Sequence, residues 1–427
     1  MATGNARWML SQEARAMLNR LDRVHSLMLA ETMVPAAAPS AAALLAIDGF
    51  LASGRRALRS RIRRYLAWLA SDAGRATRIE DAHRNFTFLR LRFNAVLTQF
   101  DIFSEAMSQR SEARTGVWLA ALDFAARDAL TLPGWPEPPP VLCYLARDMG
   151  GAIRRARTRL PGGGRNPVAI VRLPRERMLG SGIASSLVHE IGHQAAGLFD
   201  LLPPLRATLA PHARDSAVES RIWQSWRRWI SEIFSDFWAV ARVGATSTLG
   251  LMTLVSLPRA FVFRANVDDP HPTPWIRVKV SCAMGDALYP HPQWQALARL
   301  WESYYPMTDL PFEQRGWLRV LEASIPRFLG RLLEHRAESL GRVRLGDALR
   351  QADRHPSHLS ELCRRWRRAP ELVKHASPCL VFAVLGQGRL DGTVTPEEEG
   401  NVLAGLLDHW AITATTTRAA TEMRRAI

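Results

Sequence analysis

Two kinds of helical pattern dominate the middle of the chain. Between residues 184 and 198, Ala184, Leu187, Val188, Ile191, Ala195 and Leu198 recur at three- and four-residue intervals. At about 100° per residue they collect on one side, which predicts an amphipathic helix with a single buried stripe. The other side carries His189 and His193, with Ser185, Ser186, Ala196 and Gly197 around them. All four neighbours are small, so this face predicts open space beside the imidazoles. Residues 226–240 read differently: Trp226, Trp229, Ile230, Ile233, Phe234, Phe237, Trp238 and Val240 leave no side of the helix polar. A helix apolar all round is buried, yet this one holds Glu232 and Asp236 on one face. Buried carboxylates need a cation or strong hydrogen bonds.

The flanks read as helical too. Leu58, Ile62, Tyr65, Leu66 and Leu69 form one stripe, and Phe86, Leu89, Leu91, Phe93, Val96 and Leu97 a second, with an Ala/Pro-rich break from Pro35 to Ala43. Leu132 to Pro140 is a linker by composition. Asn166 to Pro174 is β-branched and bounded by prolines, which predicts a short strand through Val168, Ala169, Ile170 and Val171. Gly162-Gly163-Gly164 predicts a hairpin turn, with residues 152–160 as the preceding strand. Val243 to Pro258 is too short and too glycine-containing for a membrane span and reads as a buried helix. The expectation is an α+β, predominantly α-helical chain with a small sheet in its middle part. Its three parts are residues 1–132, 133–290 and 291–427.

His189-Glu190-Ile191-Gly192-His193 is the stretch that names a chemistry. It is the H-E-x-x-H pattern of zinc sites, in which residues four apart on a helix bring both imidazoles to one ion. Glu190 lies about 100° round from His189, placed to hold a water and not to ligate. Glu232 supplies the third ligand, and Asp236 accepts the N–H of a ligating histidine and fixes its tautomer. One Zn2+ per chain would then leave a fourth position for water.

H-E-x-x-H followed by E-x-x-x-D resembles the gluzincin group of zinc metallopeptidases over about residues 140–280. The spacing from His193 to Glu232 is most similar to the CAAX-protease and heat-shock-protease family, which also carries a downstream His-Pro-x-x-x-Arg. Here His271-Pro272-Thr273-Pro274-Trp275-Ile276-Arg277 is one residue longer, and the membrane segments of that family are missing. The resemblance implies a zincin-like domain in residues 133–290, flanked by helical domains. It implies an endopeptidase acting on protein or peptide substrates, with Glu190 as general base toward the zinc-bound water. It also implies an oxyanion donor, for which His271 is the first candidate, ahead of Arg277 and Tyr289. Residues 168–171 become the edge strand on which a substrate would lie by β-augmentation.

Composition adds less. The net charge of +16 comes from 56 basic residues, of which only Lys279 and Lys374 are lysine. That bias suits a GC-rich bacterial genome, and it also suits an anionic partner. Arg55, Arg56, Arg59, Arg61, Arg63 and Arg64 fall on the polar side of the first stripe, and Arg364, Arg365, Arg367 and Arg368 surround Trp366. The N-terminus lacks the basic-then-apolar plan of a signal peptide, which predicts a cytoplasmic chain. Cys143, Cys282, Cys363 and Cys379 lack metal-ligand spacing and read as packed thiols. Residues 387–398 imitate a calcium loop without its acids, and Thr395-Pro396-Glu397-Glu398 reads instead as a helix start with a capping box. His355-Pro356-Ser357-His358 has no third ligand and reads as a turn. Alternatives to the peptidase are a zinc-containing scaffold or regulatory protein, and a protease brought to an anionic partner by its arginines.

Overall fold

The stripes of the N-terminal third pack against each other in helices α1 (Ala2–Arg23), α2 (Ala41–Ala70), α3 (Asp72–Ala76) and α4 (Ile79–Ser108). The computed structural model describes the chain apart from residues 1, 24–32, 136, 148–149, 178–179, 211–214, 265–268 and 427, and gives only backbone for residues 2–4, 181 and 417–426. Leu58, Ile62, Tyr65 and Leu69 of α2 are buried with Phe86, Leu89, Phe93 and Val96 of α4. Arg56, Arg61, Arg63 and Arg64 face solvent. Leu91 departs from the expected stripe and is 58% exposed. Five residues after Phe86 it lies about 140° round from that residue, on the side opposite Leu89, Phe93 and Val96.

After α5 (Ala113–Leu130) come three strands, β1 (Val141–Ala146), β2 (Ala152–Arg154) and β3 (Ala169–Pro174), in the order β1-β3-β2. β3 is parallel to β1 and antiparallel to β2. Successive side chains of a strand point to opposite faces. Leu142 and Ile170 therefore join the core of α1–α4, whereas Cys143, Ala169 and Val171 join the core formed by α5 and the later helices. The sheet is thus a middle layer between two helical layers. This corrects the expected edge strand: Val168, Ala169, Ile170 and Val171 are buried, and β3 is paired on both sides. A run of consecutive apolar residues is what a strand covered on both faces requires. The edge strands are β1, whose outer N–H and C=O groups bond to the side chains of Gln109, Arg110 and Asp123, and β2, which spans only three residues of the predicted 152–160. The chain beyond it turns at Gly162–Gly164, all at positive φ, and Gln99 of α4 donates to Pro161 O at 2.5 Å and Gly163 O at 2.8 Å.

The rest is helical. α6 (Ser181–Leu198), α7 (Leu202–Thr208), α8 (Ala217–Val243) and α9 (Ala245–Val255) carry the middle of the chain. α10 (Arg259–Val262), α11 (Pro274–Leu288), α12 (Pro292–Tyr304), α13 (Phe312–Leu333) and α14 (Leu345–Leu349) follow. α15 (Pro356–Arg368), α16 (Pro378–Leu390) and α17 (Pro396–Ala426) end it. The expected capping box is present at α17: Thr395 N donates to Glu398 Oε2 at 2.9 Å, and Glu398 N to Thr395 Oγ1 at 3.2 Å. His355 caps α15 through its Nδ1, which accepts from Ser357 N. The four cysteines are buried and unbridged. Among the described residues no helix is long and apolar enough to cross a membrane.

Packing does not follow the expected divisions at 132 and 290. One buried cluster runs from Leu119 to Ala411. The boundary at 290 is bridged by Trp294 Nε1 donating to Tyr289 O at 2.8 Å and Trp301 Nε1 donating to Trp275 O at 3.2 Å. The expected linker is partly packed as well, with Leu132 buried and Trp135 set edge-on to Phe199 at 6.0 Å.

α6 and α8 cross where Gly192 meets Ser235. A Cβ on Gly192 would stand 2.7 Å from Ser235 Cα and 2.9 Å from its carbonyl oxygen. Backbone cannot yield as a flexible side chain does, so the contact fixes glycine at this position. Gly192→Ala is expected to push the helices apart and lower stability by about 1–3 kcal/mol, as overpacking does. Chemical denaturation of the two proteins measures this, and a variant of equal stability would show that the crossing has slack.

Candidate metal centre

The α6–α8 crossing sets the two histidines against the two acids. The packed stripe of α6, with Ala184, Leu187, Val188, Ile191 and Ala195 fully buried, turns the opposite face toward a cavity of about 580 Å3. Ser185, Ser186, His189, Glu190 and His193 line it from α6, and Ser231, Glu232 and Asp236 from α8. Of the small residues predicted to leave space beside the imidazoles, Ser185 and Ser186 border this space, Ser185 also donating to Ser247 O on α9 at 3.2 Å, whereas Ala196 is buried in the core and Gly197 lies against Arg155.

His189, His193 and Glu232 each offer one ligand atom, all within 4.8 Å of one another. His189 Nε2 is 3.3 Å from Glu232 Oε2, and His193 Nε2 is 3.3 Å from Glu232 Oε1. The outer nitrogens are engaged elsewhere: His189 Nδ1 lies 2.8 Å from Asp236 Oδ1 and His193 Nδ1 lies 3.3 Å from Ser231 Oγ. Both rings therefore turn Nε2 inward, with centroids 5.0 Å apart and planes nearly perpendicular. Two imidazole nitrogens and a carboxylate, each oriented by an outer partner, are a donor set that fits a divalent ion such as zinc.

Charge is balanced by one further residue. Arg277, expected at the substrate, lines the same cavity and reaches Asp236 from α11. Its Nε lies 2.7 Å and its Nη2 2.9 Å from the two oxygens of Asp236, and Nη2 is 3.4 Å from Glu232 Oε2. Burial works against the charged form of Asp236, but Arg277 and His189 outweigh it and hold the carboxyl below its usual range. Glu232 is likewise lowered, its burial overcome by hydrogen bonds from His189 and His193. Without an ion, burial disfavours a charged His189, yet Asp236 and Glu232 raise its pKa to about 10.

Glu190 stands apart from this network. It is buried, lines the same cavity, and burial lifts its carboxyl above the ordinary range against the pull of His189 and His193. A Cβ on Gly151 would stand 2.7 Å from Glu190 Oε1, so a side chain at this position would displace the Glu190 carboxylate. His271 is half-exposed at the cavity rim, with Nε2 3.6 Å from Glu232 Oε2. Its Nδ1 and its backbone N–H both lie 2.9 Å from Asp269 Oδ1, and Arg264 holds Oδ2 at 2.8 Å. Tyr289 is corrected: it is buried away from the cavity, donating to Ala241 O at 2.9 Å and accepting from Gln351 N at 3.1 Å. The residues that went unforeseen are Ser231, Asp269 and Gly151. Only Asp269 left a trace in sequence, as an acid two places before a histidine.

Comparison with family models, with curated proteins and with solved structures finds no match to this chain.

Two outcomes are expected of this centre. Purified protein should bind one divalent metal ion, and binding at neutral pH should release a proton. His189 is charged in the ion-free centre because its pKa is raised from 6.5 to about 10, and an ion at Nε2 displaces that proton. Calorimetry in buffers of different ionisation heat reads the release, and a buffer-independent heat would contradict it. Second, Asp236→Ala should weaken zinc by tenfold or more and also destabilise the protein by about 3–5 kcal/mol, because Arg277 is left buried without its partner. Adding Arg277→Met should restore most of the stability without restoring zinc affinity. Recovery of both would show that Asp236 does nothing for the histidine.

Proposed function

We propose that the chain is a zinc-dependent peptidase of the gluzincin type, with the ion held by His189, His193 and Glu232. The observation that carries this reading is the position of Glu190. It shares the cavity with the three ligands, is not one of them, and its carboxylate packs against Gly151, where a Cβ would displace it. A purely structural metal site has no use for such a carboxylate.

An ion in this site would act as a Lewis acid toward a carbonyl and make water acidic enough to attack near neutral pH. Glu190 then takes the proton of the attacking water and returns it to the leaving amine. His271, oriented by Asp269, presents Nε2 toward the developing oxyanion. Arg277 and Asp236 keep His189 aligned and do not touch substrate. The substrate lies along the free edge of β2, where Ala152 and Ile153 border the cavity.

Glu190→Gln separates the chemistry from the metal. The variant should retain zinc and thermal stability while peptide hydrolysis falls by a factor on the order of 10²–10⁴. Gly151→Ala should move the same carboxylate and lower kcat while leaving zinc content unchanged. Zinc analysis, thermal melting and turnover of a mixed peptide substrate measure all three properties. Undiminished hydrolysis by Glu190→Gln would assign the base to another group.

A further inference from the structure

The cavity has two unlike ends. Ser185 of α6 and Leu251 and Leu254 of α9 form one wall, and the other is formed beyond His193 by Arg155, Leu202 and Arg206. Arg155 directly follows β2, and its guanidinium lies over the last turn of α6, where a Cβ on Gly197 would stand 2.9 Å from Nη1. Arg206 reaches the cavity from α7. The two walls are about 18 Å apart along α6, counted from Ser185 to Gly197 at 1.5 Å per residue. An extended peptide covers that length with about five residues.

Among the described residues, neither Arg155 nor Arg206 has a carboxylate within ion-pair distance. The other charges of the cavity already cancel: a divalent ion and Arg277 stand against Glu190, Glu232 and Asp236. The two arginines are therefore uncompensated positive charge at one end of a cleft, where low-dielectric walls concentrate their field. Arginine is also the cation best shaped for a carboxylate, which it grips with two parallel N–H donors.

The geometry points to a substrate that carries a carboxylate, bound by Arg155 and Arg206 a few residues from the bond that is cut. This rests on the peptidase reading and gives that reading its substrate class, an acidic peptide. The carboxylate comes from an Asp or Glu side chain or from a free C-terminus. An uncharged segment would then lie toward Leu251 and Leu254.

The test uses the zinc-loaded full chain and internally quenched peptides with Glu, Gln or Lys at each of three positions on either side of the cleaved bond. Each peptide is made with a free and an amidated C-terminus. The parent should prefer Glu over Gln at one position, or the free over the amidated end, by tenfold or more in kcat/KM. The preference should appear in KM and weaken as salt is raised. Arg155→Gln and Arg206→Gln should each reduce it, Arg206→Glu should reverse it toward Lys, and Arg206→Lys should keep most of it. Zinc content and melting temperature show that each variant is folded. Fluorescence anisotropy of the same peptides on zinc-loaded Glu190→Gln reads binding without turnover and should give the same order. Cleavage without charge preference would overturn this inference and leave the peptidase reading standing. A preference that survives both Gln variants would remove it from Arg155 and Arg206, leaving Arg155 as a cation at the negative end of α6. Peptides neither cut by the parent nor bound by Glu190→Gln would sink the peptidase reading itself.

Discussion

Two carboxylates inside an aromatic helix must be neutralised where they stand, and much of this molecule is arranged to do so. Glu232 and Asp236 sit on α8 among Trp229, Ile233, Phe234 and Phe237, where an uncompensated charge would undo the fold. Arg277 arrives from α11 and His189 and His193 from α6. Each arrival pins one helix to α8, so the charge network also serves as the clasp of the central layer. Its geometry depends on backbone approaching backbone at Gly192, because a wider crossing would leave the imidazoles short of the acids.

The centre was largely legible in the sequence because its signals are local. His189 and His193, and Glu232 and Asp236, are pairs four apart on helices, and a helix converts that spacing directly into a shared face. The carboxylates stand out as acids among the aromatic and aliphatic residues Trp229, Ile233, Phe234 and Phe237 of α8. The pairing of Arg277 with Asp236 was not legible, since nothing along the chain says whether a buried arginine faces a ligand or the acid beside it. Ser231 and Gly151 were invisible for the same reason: their contacts are made only after α6, α8 and β2 come together.

The sheet was misread for a reason already present in its residues. Val168-Ala169-Ile170-Val171 is apolar at every position, which is the mark of a strand covered on both faces and not of an edge. β2, which does offer an edge, is three residues long and carries too little pattern to be found from periodicity. The divisions at 132 and 290 likewise rest on composition and not on packing. Proline-rich composition marked residues 132–140 as a linker, but Leu132 and Trp135 are packed, and proline content cannot tell a tether from a stretch of chain laid against a core.

The layering of that sheet has a consequence for how the chain can have been assembled. Leu142, Val168 and Ile170 are buried in the core of the N-terminal helices, while their neighbours Cys143, Ala169 and Val171 are buried in the core beneath the metal centre. The glycine turn that follows β2 is held from the same N-terminal side by Gln99. Remove those helices, and one whole face of the sheet becomes a bare apolar plate while the rim of the cavity loses its mooring. The metal centre and the N-terminal helices share one sheet in such a chain. Its first hundred residues are foundation, inherited with the cleft or not at all.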